Sequence, residues 1–261
     1  MKEDTFKIVK NYYGEVLSGS SDLKTSACCI SGSISKSQKE ILKLIEPEIK
    51  DKFYGCGSPI PLELKGKTVL DLGCGTGVVG LSLWLDGLAK EPIYASDLSE
   101  PSVSCSRENF KKYECKADVR CGALFDPWKN EKFDVIMDDI SGISQNIASI
   151  SPWFNGVPCD TGDSGTDLIL SILRNAPKHL SEDGYFFFPV LSLSNVDAIL
   201  KSAKENFVTV ELIERQEWPL PKELEEHMPL LKNLSTEGSI RLEERFGMVL
   251  CYTEVYLARK I

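Results

Sequence analysis

Histidine is scarce in this chain: two in 261 residues, His179 and His227. A mechanism built on an imidazole base has little to draw on. No two of the nine cysteines stand as CxxC, so a structural zinc site is not expected and no metal is assigned. Long apolar runs are missing as well. No stretch reaches the length of a bilayer span, and MKEDTFKIVK at the N-terminus does not read as a signal peptide. The expectation is a cytoplasmic protein without structural disulfides. The odd cysteine count then leaves free thiols, ligands or catalytic cysteines as options. Positive charge is in deficit, with Lys+Arg 30 against Asp+Glu 39 and a net charge of −9. A strong sequence-independent grip on nucleic acid needs clustered Lys and Arg and is not expected. No internal repeat is visible.

What is present is an ordinary globular composition, 42% hydrophobic and 26% charged, enough for a sizeable core. One stretch dominates it, residues 68–80, TVLDLGCGTGVVG. Val69 and Leu70 form a short apolar run ending in Asp71. Gly73, Gly75 and Gly77 follow at alternating positions, then Val78 and Val79. This reads as a strand entering a tight turn and a helix leaving it. Glycine suits backbone conformations that a Cβ forbids and lets a ligand approach closely. The helix start offers N–H groups to that ligand. The Lys-Ser/Thr of a P-loop is absent, and the pattern is GxGxG rather than GxGxxG. A second apolar run, residues 93–96, ends in Asp97, 20 residues after Gly77. That is the spacing at which an acidic residue caps the second strand and binds a ribose diol.

VLDLGCGTG followed by YASDLS resembles motifs I and II of class I S-adenosylmethionine (SAM) dependent methyltransferases. The resemblance covers roughly residues 68–261. It implies an α/β fold: a Rossmann-like seven-stranded sheet, helices on both faces, the last strand antiparallel. It implies SAM as cofactor, contacted by Asp71, Gly73, Cys74, Gly75, Gly77, Asp97 and Leu98. The CGALFDPW segment stands where this superfamily contacts adenine, which brings in Ala123 and Leu124, with Phe125 and Asp126 nearby. Residues 1–62 are expected to form a helical, cysteine-bearing extension, with helical spacing over 5–17 and 37–49, and residues 63–261 the SAM-binding domain.

The rest of the pattern alternates helices and strands. Helices are expected over 78–88, 101–113, 166–179 and 196–204, and strands over 118–120, 133–137, 184–190, 208–213 and 246–257. Pro189 is expected to stop the pairing of its strand. Residues 218–238 read as a polar, helix-forming insert.

Two further resemblances bear on the acceptor. YYGEVLSGSSDLKTSACC and FYGCGSPIP are similar to the N-terminal region of arsenite methyltransferases, which hold trivalent arsenic on thiolates. Cys28 or Cys29, and Cys56, fall on those positions, and soft thiolates suit a soft metalloid. GDSGTDLILSILRNAPKHLSEDGYFFFPV looks like the release-factor glutamine N5-methyltransferases. In that family strand four ends in NPPY; here Asp139-Ile140-Ser141-Gly142 stands in its place. Asp138 and Asp139, at the tip of strand four, are the candidate catalytic pair, to orient the acceptor or take its proton. The Gly/Pro-rich loop over 151–165 carries Trp153 and Cys159 as candidate acceptor contacts. The acceptor is then a small soft nucleophile such as arsenite, or a nitrogen on a protein or other partner. A SAM-binding regulator without turnover is the third reading.

Overall fold

The computed structural model describes residues 66–140, 142–151, 161–245 and 247–260. The expected N-terminal extension, the boundary at 62/63, and Cys28, Cys29, Cys56, Trp153 and Cys159 lie outside the described residues. Among the described residues, eight strands form one sheet: β1 (Val69–Leu72), β2 (Ile93–Asp97), β3 (Ala117–Cys121), β4 (Phe133–Asp138), β5 (Leu180–Leu191), β6 (Thr209–Pro219), β7 (Glu243–Arg245) and β8 (Met248–Arg259). Their order is β3-β2-β1-β4-β5-β8-β6, with β7 paired to β8. The first five are mutually parallel, and β8 runs antiparallel between β5 and β6. Seven strands were expected. The eighth is β7, a three-residue arm that folds back on β8 across Gly247 at φ 75.

The sequence sorts itself onto two faces because strand side chains alternate. Val69, Ile93, Val135 and Phe187 point to one face, where α1 (Val78–Leu85) and α2 (Glu100–Lys112) cover them. Leu70, Leu72, Ile136 and Phe186 point to the other. There they meet α4 (Asp167–His179) and α5 (Val196–Asn206). A third cluster joins the short α3 (Gln145–Ile150) to α6 (Lys222–Glu225), α7 (Met228–Thr236) and the ends of β5 and β8. No helix among the described residues is long and apolar enough to cross a membrane.

Several local expectations shift. The helix expected over 78–88 stops at Leu85, and Gly87 follows at φ 67. Pro189 does not stop its strand: it pairs with Val255, and the ladder to β8 runs on to Leu191. The β4 ladder ends opposite Phe187, so beyond it β5 needs no donor on that flank and a proline is tolerated. Trp218 belongs to β6, opposite Cys251, rather than to the insert.

Candidate functional site

Strand order reverses between β1 and β4, and ligands of open α/β sheets bind at the carboxyl ends beside such a switch. The glycine turn sits there. Gly73, Gly75 and Gly77 have φ of 83, 52 and 76, a region that disfavours any side chain with a Cβ. A Cβ on Gly75 would meet nothing within 4 Å, so the space above this residue is open.

The turn is held from two sides. The N–H groups of Gly73 and Cys74 donate to Ser96 O on β2 at 2.8 and 3.0 Å. Gly75 N–H donates to Asp97 Oδ2 at 2.9 Å, and Ser99 N–H to Asp97 Oδ1 at 2.8 Å. From α2, Ser106 Oγ donates to Gly75 O at 3.3 Å, and Asn109 Nδ2 donates to Thr76 O at 2.9 Å. Asp97 thus braces the turn through Oδ2 and the start of α2 through Oδ1. A carboxylate has about four acceptor positions, so it keeps capacity for a diol.

Asp71 lies beneath the turn, fully buried. Its Oδ2 accepts the Gly80 N–H at 3.2 Å, while Oδ1 is buried with no partner among the described residues. Burial pushes its pKa up to about 7, against the pull of the Gly80 N–H and with a smaller push from the Asp97 charge. Burial also raises Asp97, opposed by the N–H groups of Ser99, Gly75 and Leu98. Among the described residues, none of the groups that perturb these two acids is a cation. The Cys74 thiol is held well above its ordinary value by burial, then by the charges of Asp71 and Asp97. It packs as a neutral thiol against Ser106 Oγ at 3.5 Å.

On the β3 side, Gly122 N–H donates to Asp97 O at 3.0 Å and Cys121 Sγ to Leu98 O at 3.5 Å. Leu98, Ala123 and Leu124 are half-buried around this corner, with Leu124 at φ 47. Phe125 is buried and stacks on His179 at 4.5 Å, so its ring faces the core.

On the β4 side, Asp138 is 3% exposed. Oδ1 accepts the Ile140 N–H at 3.1 Å; Oδ2 is buried without a partner among the described residues. Burial pushes this acid up to about 8, opposed by the Ile140 N–H. Asp139, half-buried, donates its N–H to Leu72 O at 2.9 Å.

The fold therefore gathers Asp71, Gly73, Cys74, Gly75, Gly77, Asp97, Leu98, Asp138 and Asp139 at one end of the sheet. Ser106 and Asn109 went unnoticed in the sequence. The signal was there: Val103, Ser106 and Phe110 share the buried face of α2, and a polar residue on such a face calls for a partner. Among the described residues no group of three His, Cys, Asp or Glu is placed to hold a metal.

Residues 59–139 match the family model described as methyltransferase small domain. The chain is 52% identical over 69 residues to an arsenite methyltransferase from Aquipseudomonas alcaligenes, spanning 26% of this chain and 20% of that protein. It is 31% identical over 121 residues to a release factor glutamine methyltransferase from Aquifex aeolicus, spanning 44% of this chain and 43% of that protein. This chain thus spans less than half the length of each of these relatives. Among solved structures, an arsenic (III) S-adenosylmethionine methyltransferase from Chlamydomonas reinhardtii superposes with a TM-score of 0.61 at 16% identity, covering 88% of this chain and 75% of that one. These similarities bear out both resemblances read from the sequence and the Rossmann-like fold.

Proposed function

We propose that this chain is a SAM-dependent methyltransferase, with SAM over the glycine turn and the acceptor at the carboxyl ends of β4 and β5. The observation that carries the reading is the turn: open space above Gly75, a braced Asp97 beside it, and an unpartnered Asp71 oxygen below. A cationic, diol-bearing ligand supplies what those groups lack. When bound, SAM supplies a methyl group on a sulfonium sulfur that is already activated for transfer.

The chain's part is placement, which is worth about 7–11 kcal/mol in well-oriented systems. Gly73, Cys74, Gly75 and Gly77 line the cofactor side. Asp97 takes the ribose hydroxyls, and Leu98, Ala123 and Leu124 pack the adenine. Asp71 faces the methionine end through the turn. Asp138 is neutral near pH 7 and acts by position. Asp139 is the group that takes up a proton when the nucleophile carries one.

For the acceptor, the first reading is a soft nucleophile such as arsenite, held by Cys28 or Cys29, Cys56 and Cys159, with Trp153 as a further acceptor contact. The match to an arsenite methyltransferase supports it. The second reading, a nitrogen on a protein, is supported by the match to a release factor glutamine methyltransferase. The test is a screen with labelled SAM against arsenite, small thiols and cell extract, with and without prior thiol alkylation. Methylated arsenic that disappears on alkylation supports the first reading. Label on an extract protein that survives alkylation supports the second. Tight SAM binding with no turnover on any acceptor contradicts both and leaves the regulator.

A further inference from the structure

The glycine turn is short of partners along its own backbone. Cys74 O accepts the Gly77 N–H at 2.7 Å, and Gly77 O accepts the Leu81 N–H at 2.9 Å. Between them lie Gly75 O and Thr76 O, and among the described residues no backbone N–H is bonded to either. A carbonyl shut away from water without a partner is costly, and a segment with Gly73, Gly75 and Gly77 in close succession has many other conformations to relax into. Side chains of α2 take both carbonyls instead. Ser106 Oγ donates to Gly75 O at 3.3 Å, and Asn109 Nδ2 donates to Thr76 O at 2.9 Å.

One side of α2 presents this contact. Asn109 and Phe110 follow Ser106 at helical spacing, so the three share a face. Gly77 lets that face close on the turn: a Cβ there would lie 2.5 Å from Ser106 Oγ and 2.8 Å from Phe110 Cε2. The protons can be placed. Ser106 has a single O–H, which goes to Gly75 O, so the Cys74 thiol 3.5 Å away donates to Ser106 Oγ. The helix is itself anchored from behind. Arg107 Nε and Nη2 donate to Val119 O on β3 at 3.1 and 2.7 Å. Ser99, which caps α2, donates its N–H to the carboxylate that also holds the Gly75 N–H.

We infer that Ser106 and Asn109 are positioning residues for the cofactor turn: they fix the Gly75 and Thr76 peptides from the protein side, so that SAM meets a turn already in its binding conformation. The inference rests on the methyl-transfer reading above and adds to it two residues that act through the turn. A ligand that has to order its own site loses affinity in doing so, and a site held by its scaffold avoids that loss. Asn109 is the better handle for a test, because it is half-buried while Ser106 is fully buried.

The experiment uses the full chain labelled with ¹⁵N-glycine. Calorimetry reads SAM affinity, and NMR reads the amide signals of Gly75 and Gly77 with and without SAM. In the parent both signals should be single and sharp without SAM. Asn109→Leu keeps the shape of the side chain and removes the donor. It should weaken SAM about fivefold, the worth of one hydrogen bond. It should also broaden or split the Gly75 and Gly77 signals until SAM is added, and leave the Gly238 signal unchanged. Asn109→Gln keeps an amide donor and should bind SAM within about twofold of the parent. Should the Leu variant fail to fold, Ser106→Ala removes one oxygen from the same brace and should give the same two effects. A folded Asn109→Leu or Ser106→Ala protein with the parent's affinity, or with Gly75 and Gly77 signals as sharp as the parent's, would overturn the inference. A Gln variant as weak as the Leu variant would overturn it too, since packing and not the donor would then set the turn. Failure of the methyl-transfer reading shows up elsewhere, as a parent that binds no SAM, while the glycine signals still report whether α2 holds the turn.

Discussion

Asp138 offers a test that needs no acceptor and no cofactor. Its carboxyl is buried, with one oxygen on the Ile140 N–H and the other without a partner. Its pKa is pushed from 3.8 to about 8. The sign follows from linkage: a folded-state pKa above the unfolded one means that the folded protein binds the extra proton. Stability from this group is complete below about pH 4 and is lost as pH rises toward 8. Each pH unit in that window costs about 1.4 kcal/mol, so at pH 7 the penalty is on the order of 4 kcal/mol. Asp138→Asn keeps an Oδ1 acceptor for Ile140 and removes the titration. At about 2–4 °C per kcal/mol for a domain of this size, the variant should melt on the order of 10 °C above the parent at pH 7. At pH 4 the two should coincide within about 2 °C. Differential scanning calorimetry of both proteins across pH 4–8 reads the difference directly. Asp71 adds a slope of the same sign, but it is common to both proteins and cancels. A variant that melts lower than the parent at pH 7 and equal to it at pH 4 would refute the reasoning, because Asp138 would then be ionised and paired.

Asp97→Ala removes the acceptor for Gly75 and Ser99 as well as the proposed ribose ligand. SAM affinity by calorimetry should fall by about 1.5–3 kcal/mol, roughly 10–150-fold; an unchanged dissociation constant would contradict the role. SAM binding should also tighten between pH 6 and 8. A cation above the turn favours ionised Asp71, which interacts with the Gly80 N–H, the Cys74 thiol and the Asp97 carboxylate, none of them a cation. Asp71→Asn should flatten that dependence, and a variant with the parent's pH profile would remove Asp71 from the linkage.

Much of this end of the molecule is legible in the residues themselves. Gly73, Gly75 and Gly77 between an apolar strand and Val78–Val79 mark the turn, because few other residues accept φ near 50–80 there. Asp97 is marked by its spacing and by the end of an apolar run. The braces were harder to see. Ser106 and Asn109 lie on a helix 31 and 33 residues from their partners; the buried face of α2 signals that Ser106 needs a partner but not which one. The Pro189 misreading has the same source: whether a strand tolerates proline depends on where its neighbour ends, which is a property of β4 rather than of β5. β7 is too short to carry a period-two signal.

The central claim is that the glycine turn seats SAM, and Gly75→Val tests it most directly. A Cβ at this position meets nothing within 4 Å of the protein itself, so added bulk projects into the space assigned to the cofactor. The positive φ adds strain of its own, so a thermal melt accompanies the binding measurement to establish that the variant is folded. Isothermal calorimetry with SAM should show binding to the parent and none to the folded variant. A folded Gly75→Val protein that binds SAM as tightly as the parent would contradict the assignment of this turn.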